Sequence, residues 1–294
     1  MNFIDQADKG NTKAGSYVLT ILAVFVAFIL GQSVMVTLGQ NIPGVSIFEM
    51  EKTTDLNTLL TLLMIPFIFV FLTILLCVRY IHQRPILSVF TARDQFDWKR
   101  FFTSFLIWGV MLTILHIINY LIGADYQWHF DSGTFFPLLM ISLFLLPIQT
   151  TAEDLLFRGY LLQGFKKIVP WSFMSILITG SMFGMMHAGN PEVELLGNAL
   201  LIYYIFSGIF LGMLTHLDNG MELGMGYHVM NNIFGALIIT NDWQAFQTNA
   251  LLIDHSPPAF GWDSILILAI VQPLLLFLYS RIYKWGSWKE KLLN

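Results

Sequence analysis

The sequence predicts an all-α, polytopic membrane protein: a bundle of about eight transmembrane helices around a polar intramembrane cavity. Three observations carry that fold class. Mean hydropathy is +0.67, and of 294 residues 56% are hydrophobic and only 12% charged, where soluble domains hold charge near a quarter. The apolar residues gather in runs near the ~20 residues that a bilayer crossing needs. Lys and Arg collect on one set of loops.

Taken in order, Ser16 to Leu38 is the first predicted span, and the loop Asn41 to Asn57 carries Glu49, Glu51 and Asp55 against Lys52. Thr58 to Val78 spans again, with Pro66 tolerated as membrane helices tolerate it. Arg79 to Arg100 is basic, Phe101 to Ile122 is the third span, and Gly123 to Gly133 is a short acidic and aromatic loop. The fourth span opens at Phe135 and runs past Pro147 to Phe165, longer than a crossing needs. Lys166, Lys167 and Pro170 end it. Trp171 to His187 is the fifth span. Leu195 to Leu217 is the sixth, with Gly197, Ser207, Gly208 and Gly212 predicted to allow close helix packing. After the turn Asp218-Asn219-Gly220, Leu223 to Thr240 is the seventh span. Asn241 to Trp262 is a loop, and Asp263 to Tyr283 is the eighth span, before a basic end.

With the N-terminus inside, every Lys and Arg except Lys52 falls on the cytoplasmic side or at its boundary. Both termini are therefore expected to be cytoplasmic, in an integral protein of a bacterial plasma membrane. The first fifteen residues mix acids and lysines, so no cleavable signal peptide is expected. The single cysteine, Cys77, excludes an internal disulfide or a cysteine-based metal site. The basic residues follow topology, and no nucleic-acid partner is expected. The chain divides into residues 1–134 (three helices and loops), 135–240 (a four-helix core) and 241–294 (an outer loop, the last helix and a basic C-terminus).

Polar residues inside apolar runs are functional candidates by default. The stretch Thr150 to Gly159 holds Glu153, Asp154 and Arg158. On a helix Asp154 and Arg158 (i, i+4) share a line, and Glu153 points about 100° away. One acid can then neutralise the arginine while its neighbour stays free. Phe183 and His187 sit one turn apart on the fifth span; His228 and Asn232 do so on the seventh. A carboxylate with nearby histidines suits water activation, and a histidine with an amide offers donors to an oxyanion. Glu153, His187 and His228 also make a plausible zinc set with an open position. These residues alone leave zinc or no cofactor open. Each group taken singly has a plain structural explanation: a helix-end ion pair, a packed histidine, an interhelical amide. His82, His129, His216 and His255 lie in loops or near span ends and are read as structural, and His116 and Asn119 as hydrogen-bonding between helices.

The three groups in order, Glu153-Asp154-x-x-x-Arg158, Phe183-x-x-x-His187 and His228-x-x-x-Asn232, resemble the three motifs of the CPBP family of CAAX proteases and bacteriocin-processing enzymes, also called the Abi family. The text Leu155-Leu156-Phe157-Arg158-Gly159-Tyr160-Leu161 is similar too. The resemblance covers roughly Phe135 to Thr240. It implies an intramembrane endopeptidase in which Glu153 and His187 activate water, His228 and Asn232 hold the oxyanion, and Asp154, Arg158 and Phe183 support them. The implied partners are membrane lipid and a peptide or lipidated protein substrate, CAAX-type or bacteriocin-related. One departure stands out: the second acid is Asp154 where the family has Glu, one methylene shorter. Convergence of Glu153 and His187 requires the fourth helix to continue inward through Phe165 or the fifth to begin later than Trp171, and the former is expected.

Other intramembrane proteases fit worse. There is no His-Glu-x-x-His motif, no presenilin-type Gly-x-Gly-Asp, and no histidine arrangement around Ser207. Two non-peptidase alternatives remain: a membrane immunity or interaction protein using the cavity for binding, and a small proton-coupled transporter. The transporter lacks a repeated pair of Gly/Pro-broken helices.

Overall fold

A computed structural model of the chain describes residues 1–42 and 54–293. Glu49, Glu51 and Lys52 of the first predicted outer loop lie outside the described residues. The helices are α1 (Ala14–Gln40), α2 (Leu56–Leu76, running on through a π-helical turn to Ile81), α3 (Trp98–Leu121) and α4 (Ser132–Phe165). They continue as α5 (Ser172–Met185), α6 (Pro191–Leu196), α7 (Asn198–Asp218), α8 (Glu222–Leu237), α9 (Trp262–Ile282) and α10 (Trp288–Leu293). The protein is a polytopic all-α integral membrane protein.

Aspartates start three of the long helices, each accepting from the backbone N–H three residues on: Asp55 from Thr58, Asp97 from Arg100 and Asp131 from Thr134. This satisfies one of the donors that every helix start leaves free.

Six helices are long and apolar enough to cross a membrane among the described residues: α1, α2 to Ile81, α3, α4, α7 and α9. The predicted fifth and seventh spans are helices but short ones, 14 and 16 residues. At 1.5 Å per residue they extend only about 21 and 24 Å, against a hydrocarbon core of about 30 Å. The predicted bounds of both include flanking residues that the chain uses elsewhere. Met186–Gly189 forms a 3-10 turn, and Ile239–Thr240 forms a strand.

The fourth helix does continue inward, over 34 residues without a break. It is α-helical to Asp154, π-helical over Leu155–Leu161 and α-helical again to Phe165. A π-helical turn inserts one extra residue per turn and is frequently found at functional sites. Here it follows the two acids directly.

Helix α5 packs along α7, α8 lies against α3 and α4, and α2 is flanked by α1 and α4. The α5–α7 contact is close because glycines face it. A Cβ on Gly208 would stand 2.5 Å from the Gly180 carbonyl oxygen, and one on Gly180 would stand 2.6 Å from the Ile209 nitrogen. Gly197, predicted to serve packing, instead takes φ 71° at the α6–α7 junction with open space around it. It is a turn residue. Much of α1 is bare apolar surface, with Val18, Leu22 and Phe25 more than half exposed, as a lipid-facing helix is.

The loops predicted at 123–133 and 241–262, together with the last two residues of the predicted seventh span, form a small three-stranded sheet in the order β1 (Tyr126–Trp128), β3 (Leu252–Asp254), β2 (Ile239–Thr240). β1 pairs antiparallel to β3 with Tyr126 opposite Asp254, and β2 runs parallel to it. At the other end of the bundle, Arg93 and Arg100 both bond Asp218, and Arg93 also bonds Glu222. These pairs fasten the 79–100 loop to the α7–α8 turn. The first residues join the same end: Phe3 is fully buried, and its N–H donates to the Asn219 side chain at 3.1 Å.

Candidate active site

Three helices bring the predicted residues together. From α4, Asp154 accepts from Arg158 Nη1 at 3.1 Å, and both side chains are almost wholly buried. The pair is the one that the i, i+4 spacing predicts. Charge alone does not hold the arginine: its guanidinium carbon lies 3.8 Å over the Phe183 ring. A cation over an aromatic face is attracted by the ring quadrupole, more strongly where water is excluded. Phe183 thus cushions Arg158, and its ring also touches His187 and His228, at centroid distances of 4.8 and 5.9 Å.

From α8, His228 stands between the two acids. Its Nε2 is 3.6 Å from Glu153 Oε2 and its Nδ1 is 3.4 Å from Asp154 Oδ2. The second approach is near enough for attraction but out of hydrogen-bond alignment. Asp154 Oδ2, His228 Nδ1 and Arg158 Nη2 are all buried without a hydrogen-bond partner among the described residues.

His187 is placed differently from the expectation. It sits in the turn that follows α5, with Nδ1 3.0 Å from the Phe183 carbonyl and its ring stacked on Tyr204 at 4.2 Å. A carbonyl can only accept, so neutral His187 carries its proton on Nδ1 and leaves Nε2 with a lone pair. Among the described residues the imidazole paired with Glu153 is that of His228.

Sequence reasoning missed a hydrogen-bond chain that ends on Glu153. Trp108 Nε1 donates to Asn231 Oδ1 at 3.3 Å, and Asn231 Nδ2 to Asn232 Oδ1 at 3.4 Å. Asn232 Nδ2 then donates to Gln149 Oε1 at 2.9 Å, and Gln149 Nε2 to Glu153 Oε1 at 2.7 Å. The indole can only donate and the carboxylate can only accept, so every amide in between is oriented. Such chains polarise each successive bond. One oxygen of Glu153 is thereby held, and Oε2 is left on the His228 side. The signal was available in the spacing: Gln149 precedes Glu153 by four residues, on the same helix face. A second missed pair is Tyr204 and Glu192, joined at 2.9 Å beneath the His187 ring.

The donor set can be tested for a metal. Glu153 and His228 are near neighbours, but His187 is turned to the Phe183 carbonyl. Among the described residues no three His, Cys, Asp or Glu side chains are grouped to hold an ion. The set Glu153, His187 and His228 does not fit one as it stands.

Two acids, the His228 imidazole and an oriented amide stand together, and these are the kinds of group that water activation and oxyanion binding use. Comparison with known proteins agrees in kind. Residues 132–234 match the family described as Type II CAAX prenyl endopeptidase Rce1-like. The uncharacterized protein YyaK of Bacillus subtilis (strain 168) is 28% identical over 249 residues, which cover 82% of this chain and 83% of that protein. No solved structure matches the chain. The matched segment begins where α4 begins and ends two residues beyond Asn232, so it encloses all three motifs. Over that segment the chain is similar to the Type II CAAX prenyl endopeptidase Rce1-like family.

Proposed function

We propose that the protein is an intramembrane endopeptidase that hydrolyses a peptide bond near the membrane, with Glu153 as the general base. The observation that carries this reading is Glu153 itself. It is an acid inside a membrane helix, with one oxygen fixed by Gln149 and the other turned toward His228.

In this mechanism Glu153 takes a proton from water as the water oxygen attacks the scissile carbonyl carbon. His187, with its proton committed to the Phe183 carbonyl, offers the Nε2 lone pair to the same water. His228 and the second amide N–H of Asn232 donate to the developing oxyanion, often the largest catalytic contribution. The carbon–nitrogen bond then breaks, and Glu153 passes its proton to the leaving amine. Asp154, Arg158 and Phe183 hold His228 in place. Residues 135–240 form the catalytic core, within a bacterial plasma membrane with both termini cytoplasmic.

A prenylated CAAX peptide is the substrate favoured by the Rce1-like match; a bacteriocin-type peptide is the alternative within the family. The test is mass-spectrometric detection of the released C-terminal tripeptide from a farnesylated CAAX reporter, using protein purified in detergent. Release from the farnesylated reporter and not from an unlipidated one supports the CAAX assignment. Cleavage of an unlipidated leader peptide alone would move the substrate to the bacteriocin class.

A further inference from the structure

Beside the motif residues lies a cavity of about 460 Å³, bounded by α3, α6, α7, α8 and the loop that leads into α9. Two of its wall residues belong to the site described above. Tyr204 carries the stacked His187 ring, and Asn231 is the exposed amide next to Asn232 in the chain that ends on Glu153. The cavity therefore adjoins the site through Tyr204 and Asn231. A cavity of this size next to a candidate active site can lodge a substrate side chain.

Its charge is one-sided. Glu192, Asp254 and Asp263 line it, and no lysine or arginine does among the described residues. Their hydrogen-bond donors are all neutral. Glu192 accepts from Asn190, Tyr204 and the Ala245 N–H; Asp263 accepts from Asn119 and the Ser264 N–H; Asp254 accepts from the Ser256 N–H. Glu192 is buried. Neutral donors orient these carboxylates and leave their charge uncompensated. Their field is felt locally: burial and the Asp254 carboxylate push the Tyr126 phenol up to about 12, so that ring remains a neutral part of the wall. A cleft lined by one sign of charge concentrates ligands of the other sign by about 10- to 1,000-fold. Aromatic faces such as Tyr126 and Tyr204 add attraction for an organic cation.

We infer that this cavity is a substrate subsite for a cation carried by the peptide, an ammonium or guanidinium group, so that the enzyme selects peptides with a basic group near the scissile bond. The inference rests on the peptidase reading but is tested by binding alone. Three peptides are compared on the Glu153→Gln protein in detergent at low salt: a terminally blocked peptide with one lysine, the same peptide with norleucine, and the norleucine peptide with a free α-amine. The expected result is binding of the lysine peptide about tenfold tighter than the blocked norleucine peptide, shrinking as salt is raised. Tighter binding of the free-amine peptide as well would assign the site to any peptide ammonium; weak binding would assign it to the side chain. Asp254→Asn and Asp263→Asn, each with an unchanged melting profile, should remove the preference in part and together abolish it. Equal affinities, no binding by any peptide, or a preference that survives both substitutions would overturn the inference. Absence of cleavage by the wild-type protein would count against the peptidase reading only.

Discussion

The Gln149 amide nitrogen lies 2.7 Å from Glu153 Oε1, one turn earlier on the same helix, and the Gln149 carbonyl accepts from Asn232 on α8 at 2.9 Å. One buried amide thus ties the proposed base to the proposed oxyanion donor. Gln149→Leu would release both, and displacement of a reacting group by about 1 Å can cost about 100-fold. A fall in kcat of about 10- to 100-fold is expected, with KM little changed. Gln149→Asn, which keeps the amide but shortens its reach, should be only partly impaired. An effect confined to KM would mean that Gln149 serves binding instead.

Asp154 engages Arg158 with one oxygen only; the other stops 3.4 Å from His228 and out of alignment. This is where the departure from the family's second glutamate shows physically. The shorter acid satisfies the arginine but does not close on the histidine. Asp154→Glu is expected to keep or raise activity, whereas Asp154→Asn should lose about 10- to 100-fold through a misplaced His228. Steady-state kinetics on the same reporter decide it.

Arg158 and Asp154 are both about 2% exposed. Removing one partner of a buried ion pair leaves an uncompensated charge and costs about 3–5 kcal/mol. Arg158→Leu should therefore lower the melting temperature in detergent sharply. Adding Asp154→Leu to it should restore much of the loss, even though the double variant is inactive. Equal melting for the single and double variants would show that the charge pair is not what stabilises this turn.

Acid should destabilise the fold through His82, just beyond the end of α2. Its ring bonds Tyr160, Thr20 and the Asn11 carbonyl. Burial lowers its pKa; the Asn11 carbonyl opposes that shift, and the Arg84 charge adds to it. The unfolded chain takes up a proton at the ordinary histidine pKa, while the folded one refuses it until lower pH. Stability is therefore full above about pH 6.5 and falls as pH drops through the depressed folded value. Melting curves between pH 8 and pH 5 should show that loss, and His82→Gln should flatten it at the cost of some stability at pH 8.

Much of this was legible in the sequence. Hydropathy located every long helix among the described residues, because a lipid-facing helix such as α1 cannot hide polar residues. The Asp154–Arg158 pair followed from helical spacing alone. The lengths of α5 and α8 did not, because apolar residues in a turn or a strand raise local hydropathy as much as those in a helix. His187 was expected within its helix, beside Glu153; it stands in the following turn, and His228 takes the place beside the acid. The π-helical turn after Asp154 leaves no compositional mark. Asn231 and Trp108 look like ordinary helix residues until α3 and α8 are seen side by side, and then they become the outer links of the chain ending on Glu153.

Activation of the attacking water by Glu153 is tested by single-turnover cleavage of the farnesylated reporter by wild type and Glu153→Gln, matched in melting profile. Glutamine keeps the size of the side chain and can still bond Gln149, but cannot take a proton. Cleavage should fall at least about 1,000-fold while reporter binding is retained. A Glu153→Gln protein that cleaves within tenfold of wild type would rule out Glu153 as the base.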